Sequence, residues 1–303
     1  MSKEFYITSD QSGRRIDRLL RNMWPQVPLG ALMKAIRTGE VRLDAKKVRP
    51  DTRVDEGQFL QVPWNDDMPA ERSAKEKTPN VRHERLETIF KDDYLWIINK
   101  PAGLLTQPDT KNGDSLITRV LEELNWIRSD FRPSTVQRLD RNTSGAVIVA
   151  LTGPSLRYLS ELIRERKIRK IYRAVVAGET EESGEIALPI LKDASENTVR
   201  IDERGQSALT RYRKISGDKN ISMVEAELVT GRTHQARIHF AAVGHPIIGD
   251  RKYSGNSRWA KRPLLHAYSV TFPDDMGLPE EIRRKEFKAS LPKDMEEYFN
   301  NEM

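Results

Sequence analysis

Asp140 stands between two guanidiniums, Arg138 and Arg141, in the run RLDRNTSG, and the chain then enters the apolar segment AVIVAL. Such a run reads as a buried strand, so the carboxylate sits on a turn at the mouth of a core strand. That placement suits an acid, a base or a nucleophile, and it also suits a plain loop clamp. Two further stretches are richer in polar groups than a core sheet requires. In KIRKIYR, from Lys167 to Arg173, Tyr172 occupies a strand position among basic neighbours. In GRTHQARIHFAAVGHP, from Gly231 to Pro246, Arg232, His234, Gln235, Arg237 and His239 cluster at the start of a short helical pattern. The two histidines are five apart, whereas helical metal-ligand pairs stand three or four apart, and no carboxylate lies in the stretch. The reading is therefore of hydrogen-bond donors at a helix N-terminus, with His234 and Arg237 on one face, a place that favours phosphates.

The elements that must hold these groups follow from periodicity. Strands are predicted at Tyr94–Asn99, Ala146–Leu151, Lys170–Val176, Ala208–Ile215, Met223–Val229 and Leu264–Phe272, several of them alternating polar with apolar residues. Helices are predicted over Ser115–Trp126 with Ser115 as N-cap, over Pro154–Arg166, and over Thr233–Val243. No regular strand–helix–strand repeat is visible, so the expected class is α+β with a mainly antiparallel mixed sheet.

Ahead of this lies a different unit. A helix after Ser12–Gly13, carrying Ile16, Leu19, Leu20 and Met23, precedes a second one carrying Leu29, Leu32, Met33 and Ile36, with Gly39 as its C-cap. Strand signals at Val41–Leu43 and Phe59–Val62 complete a small helix–helix–hairpin domain. The expected division is 1–63 for this unit, 64–84 for a polar, proline-containing linker, and 85–303 for the larger domain.

Charge separates the ends of the chain. The total is 51 Lys and Arg against 45 Asp and Glu, or +6. Arg14 to Arg53 holds eleven bases and four acids, a local balance of 11 − 4 = +7, while Asp274 to the end holds nine acids and five bases, a balance of 5 − 9 = −4. A basic head of this density points to a polyanion. Arg251 to Arg262, with Tyr253 and Trp259 among its bases and no acid, extends the theme, because aromatics beside cations suit bases stacked beside phosphates. The chain has no cysteine, which removes disulfides and thiol chemistry. It shows no signal-peptide core and no apolar run of membrane-spanning length, so it reads as cytoplasmic and without a membrane partner.

The motifs together resemble the large-subunit ribosomal RNA pseudouridine synthases. RLDRNTSG is similar to that family's HRLDxxTSG signature. Asn99-Lys100-Pro101 with Gly103 is similar to its NKPxG turn, and Lys170 with Tyr172 to its KxY strand. Thr230 through His239 follows TGRTHQxRxH, Gly244 through Asp250 follows GHPIxGD, and Leu265-His266-Ala267 follows LHA, all in the family's order. The head resembles the alpha-L RNA-binding module, with Arg15, Asp17 and Leu20 matching RxDxxL and Gly39 to Pro50 matching its second element.

The resemblance implies an isomerase that breaks the N-glycosidic bond of a uridine, turns the uracil and rejoins it through C5, with no metal and no organic cofactor. It implies Asp140 as the catalytic carboxylate, Arg237 as its cation partner and Tyr172 as the aromatic group at the target base. Arg138 would fill the space left by the extruded uridine. Arg15, Arg18, Lys34, Arg37, Lys46, Lys47, Arg232 and His234 would contact the RNA, and the expected state is a monomer acting on large-subunit ribosomal RNA or a pre-ribosomal particle. One position departs from the family: Gln137 stands where a histidine is usual, and glutamine does not titrate. The same surface would also serve a non-catalytic ribosome-assembly factor, with Gln137 its mark of lost activity. A sugar glycosidase is disfavoured, since no second acid accompanies Asp140 in its motif.

Overall fold

The computed structural model describes residues 3–64, 85–109, 113–126, 131–193, 198–255 and 260–299. The expected linker falls almost wholly outside these residues, as do Arg258 and Trp259 of the basic-aromatic stretch.

The first unit runs β1 (Lys3–Tyr6), α1 (Ile16–Met23), α2 (Leu29–Thr38), β2 (Arg42–Leu43), β3 (Lys46–Lys47) and β4 (Phe59–Val62). Its four strands form a sheet in the order β1-β4-β2-β3. Ile16, Leu19, Leu20, Trp24, Leu32, Ile36 and Leu60 join in a core of their own. Gly39 closes α2 in the left-handed conformation, φ 81°, as its position predicts. Helix α1, however, begins at Ile16 and not beside Ser12–Gly13. Carbonyls brought from elsewhere meet its first amides: Ile16 N donates to Thr52 O at 2.8 Å and Asp17 N to Pro50 O at 3.2 Å. Tertiary acceptors replace a local cap, which no spacing rule reveals.

The larger unit continues with β5 (Glu87–Lys91), β6 (Leu95–Lys100), α3 (Leu116–Glu123), β7 (Ser134–Thr135), β8 (Ser144–Ala150), α4 (Gly153–Arg164) and β9 (Arg169–Ala177). There follow β10 (Ser183–Ile186), β11 (Ile190–Asp193), β12 (Thr198–Ile201), β13 (Thr210–Gly217), β14 (Ile221–Leu228), α5 (Gln235–Ala242), β15 (Leu265–Thr271), β16 (Glu286–Lys288) and α6 (Lys293–Phe299). A ten-stranded sheet carries the site, in the order β10-β13-β14-β9-β15-β8-β6-β5, with β16 against β15 and β7 against β8. Only the β15–β8 pair is parallel among its described pairings. The α+β class with a mainly antiparallel sheet is therefore what the chain adopts. Ser115 caps α3 as expected, accepting from Thr118 N at 3.2 Å in a reciprocal box. The strands that periodicity missed, among them β5, β10, β11, β12 and β16, are short or carry charges on exposed positions, so their apolar signal is weak.

Every residue of β8 is buried, as the AVIVAL run requires of a strand covered on both faces. One face packs Val147 and Val149 with Trp96, Tyr172 and Phe240, and the other packs Ala146 and Ile148 with Leu159, Leu162 and Phe272. The register then places the site. Tyr172 of β9 lies opposite Ala267 of β15, and Ala267 lies beside Gly145 of β8. Tyr172 and the end of the Asp140 turn are thus two strand spacings apart, about 10 Å.

Gly145 is needed for that approach. Its φ is +115°, and a Cβ there would stand 2.2 Å from the Ala267 carbonyl oxygen. A Gly145→Ala chain is expected to lose about 3 kcal/mol or more of stability, read by urea unfolding. A midpoint equal to the parent's would refute the close approach.

Candidate active site

Asp140 sits on the turn before β8, where Thr143 N donates to its carbonyl at 3.1 Å. The turn is held from beneath by Lys100, at the end of β6 and fully buried. Its Nζ donates to the carbonyls of Pro101, Leu104 and Arg141 at 2.9, 2.8 and 3.2 Å. Three acceptors match the three donors of an ammonium. Burial pushes the Lys100 pKa down to about 7, the nearby Arg262 cation adds to this, and the charge of Asp140 opposes it. The Arg141 carbonyl also accepts from Gly103 N at 2.8 Å. Arg141 therefore steadies the turn through its backbone, while its side chain is exposed. The NKPxG turn is a buttress for the aspartate loop.

Arg237 projects from α5 to the aspartate. Its Nη1 donates to Asp140 Oδ2 at 2.9 Å, while Nε and Nη2 donate to Asp250 Oδ2 and Oδ1 at 2.6 and 2.9 Å. The Asp250 side chain is 1% exposed, Arg237 12% and Asp140 30%, so only Asp140 retains appreciable access to a ligand. Burial lowers the Arg237 pKa, but its hydrogen bonds to Asp250 and Asp140 outweigh that and hold it above the ordinary arginine value. Asp250 was legible only as the last residue of a motif. Its fork with Arg237, 13 positions earlier, depends on the loop after α5 folding back.

Tyr172 faces the same cleft and is 9% exposed. Burial, with the charge of Asp140 adding to it, raises its pKa well above a free phenol, so the hydroxyl stays protonated. Arg138 is exposed at the cleft wall. Arg232 and His234 line it too, together with Lys170, Arg251 and Lys252, around a volume of about 1020 Å³. His234 is not a residue of α5's first turn but its N-cap, in the left-handed conformation with φ 56°. Its Nδ1 pairs with the Tyr253 hydroxyl at 2.8 Å and its Nε2 lies 3.7 Å from Asp140 Oδ2. Burial lowers its pKa, Asp140 resists the shift, and Arg237 and Lys252 reinforce it. His239 has a separate job: its ring nitrogens meet Thr210 Oγ1 at 3.0 Å and the Leu188 carbonyl at 2.9 Å inside the core. Gln235 is also structural, taking Thr230 Oγ1 and Arg232 N as donors at 2.6 and 3.0 Å and so shaping the loop before α5.

Gln137 turns to the β8 backbone. Its Nε2 donates to Ala146 O and its Oε1 accepts from Ile148 N, both at 3.4 Å. The amide acts as a strand-like support for the loop, a task that needs no titration. The sequence-predicted residues of the first unit lie apart from this cleft. Arg18, Lys34, Arg37, Lys46 and Lys47 are exposed, whereas Arg15 is engaged with Asp17 through a fork of 2.7 and 3.2 Å.

A buried histidine ties the site to the C-terminal strands. His266 Nε2 faces the Ala289 carbonyl at 3.3 Å and must carry the proton there, leaving Nδ1 to accept from Ser144 Oγ at 2.9 Å. Burial pushes its pKa to about 4 from an ordinary 6.5. The folded state therefore binds this proton later than the unfolded chain does. The contribution is whole above pH 6.5 and is lost as pH falls toward 4, amounting to on the order of 3 kcal/mol. Urea unfolding at pH 7.5 and 4.5 should show this loss, and a His266→Gln chain should show a smaller one. Equal pH sensitivity in both chains would count against the assignment.

A carboxylate on a buttressed turn, a shared guanidinium and a neutral tyrosine meet in one basic cleft, an arrangement suited to acid–base chemistry on an anionic substrate. The comparisons with known proteins agree. Residues 94–242 match the family described as RNA pseudouridylate synthase. The chain is 32% identical over 281 residues to ribosomal large subunit pseudouridine synthase C of Vibrio vulnificus, covering 88% of this chain and 87% of the relative. It is 31% identical to the Vibrio cholerae protein of the same name, over 96% of this chain and 94% of that one. It is 30% identical to ribosomal large subunit pseudouridine synthase D of Zymomonas mobilis, over 98% and 96%. This chain belongs to the RNA pseudouridylate synthase family. Its fold is similar to that of human RNA pseudouridylate synthase domain containing 4, with a TM-score of 0.57 at 24% identity over 71% of this chain and 92% of that one.

Proposed function

We propose that this chain converts specific uridines of large-subunit ribosomal RNA to pseudouridine. The observation that carries the proposal is the chain Asp140–Arg237–Asp250 at the floor of a basic cleft faced by Tyr172. The buried Asp250 anchors Arg237, and Arg237 in turn holds Asp140 aimed while leaving it accessible. The names of the relatives supply the substrate class.

In this reading the target uridine leaves its stack and enters the cleft. The bond between N1 and C1′ breaks, the uracil turns, and a bond forms between C5 and C1′. The proton on C5 leaves and N1 gains one, so the net change is an isomerisation. Asp140 is the group placed to assist, while Tyr172 stays protonated and lies against the base. Arg138 stands where it can occupy the gap left in the RNA. Arg232 and His234 meet the flanking backbone. Residues 1–63 act as the RNA-binding unit, with Arg18, Lys34, Arg37, Lys46 and Lys47 on its surface and Arg15 in its arginine-lined cleft.

The test is tritium release from C5-labelled uridine in transcribed ribosomal RNA. Release in step with pseudouridine formation is expected. Absence of release by the parent chain at low salt, with RNA bound, would favour a binding factor instead.

A further inference from the structure

The loop between β1 and α1 meets the start of α4 in a clasp that the reaction itself does not use. Of the three residues that open helix α4, the two with an N–H need partners outside its own hydrogen-bond ladder. Ser155 N donates to Thr152 Oγ1 at 3.3 Å, and Pro154 has no N–H. Gly153 N donates to Asp10 Oδ1 at 2.7 Å, a partner 143 residues away. One turn on, Arg157 donates through Nη1 to Ser12 O at 2.7 Å and through Nη2 to Ser9 O at 3.1 Å. Asp10 thus supplies an anion at the positive end of the helix, while Arg157 holds the carbonyls on either side of it. Glycine makes the fit possible. A Cβ on Gly153 would lie 2.5 Å from the Asp10 carbonyl oxygen, and one on Gly13 would lie 3.0 Å from Arg157 Cδ.

What the clasp joins gives it a use. On one side, the same loop carries Gly13 into a cleft of about 430 Å³ lined by Arg14, Arg15, Arg18, Arg21 and Arg53. On the other, α4 runs on to Ile163, which lines the Asp140 cleft. Ten residues of helix separate Gly153 from Ile163, a span of about 15 Å. A free tether between the units would leave that spacing unset.

We propose that Asp10 and Arg157 are specificity-determining positioning residues: their clasp fixes the arginine-lined cleft at a set distance from Asp140. RNA long enough to enter both clefts is then selected by its shape, and a short strand that reaches only the Asp140 cleft is indifferent to the clasp. This rests on the RNA pseudouridine synthase reading, so its test has a readout that does not require activity.

The full-length chain carrying Asp10→Ala and Arg157→Ala is compared with the parent by small-angle X-ray scattering and by tritium release. The substrates are transcribed large-subunit ribosomal RNA and a short single-stranded fragment around a uridine modified in it. The expected results are a larger radius of gyration, a KM at least ten-fold higher on the long RNA with kcat nearly unchanged, and no change on the fragment. Asp10→Asn, which keeps an acceptor oxygen, should behave as the parent. An unchanged radius of gyration overturns the proposal, as does an equal loss on both RNAs. If the parent released no tritium from either RNA, the reading of the activity would fall, and scattering alone would decide the clasp.

Discussion

An Asp140→Asn chain is expected to release no measurable tritium from labelled RNA, a loss of ~10⁴-fold or more, yet to bind that RNA as the parent does. Asparagine keeps the shape of the side chain and an oxygen for Arg237 Nη1, so the loop and its 2.9 Å contact have no reason to move. The negative charge is what disappears. Asp140 is 30% exposed and Arg237 retains its fork to Asp250, so the thermal midpoint should shift by only a few degrees. Residual release within ten-fold of the parent would remove Asp140 from the chemistry. A collapse of the midpoint would instead place it among the structural groups.

The second large effect is expected at Asp250. Its carboxylate is 1% exposed and accepts two charge-assisted bonds from Arg237 and one from Lys252 N at 3.2 Å. In an Asp250→Ala chain a mostly buried guanidinium loses its main partner, which costs about 3–5 kcal/mol and lowers the midpoint by roughly 10 °C for a domain of this size. Among the described residues Asp140 is then the carboxylate left on Arg237, and activity should fall with the loss of aim. Adding Arg237→Met should return much of the stability, because the unpaired charge is gone, without returning activity. Melting curves of the single and double variants decide the matter. Should the single variant melt with the parent, the buried anchor is not what holds the site.

These two outcomes differ because the two aspartates have opposite surroundings. One is held by a cation and left open to a ligand, the other is enclosed with the same cation. A motif names both residues, but only burial separates their roles.

The chain alone determined a good deal. AVIVAL specified a strand covered on both faces, since an apolar run of that length has nowhere else to go. Ser115 and Gly39 marked helix ends through local chemistry: a hydroxyl facing its own first turn and a residue free to adopt positive φ. Asp140, Tyr172 and Arg237 were legible as members of ordered motifs, and the structure brings all three to one cleft. Other features needed the folded chain. The start of α1 depends on carbonyls of Pro50 and Thr52, and Gly153 N at the locally capped start of α4 finds its partner in a carboxylate at position 10. His234 left the helix to face Tyr253, and Lys100 became a buried buttress. Side-chain type and spacing report what a residue offers to its near neighbours. They carry no record of which distant strand lies alongside, and it was the β9–β15–β8 register that set Tyr172 and Asp140 in one cleft.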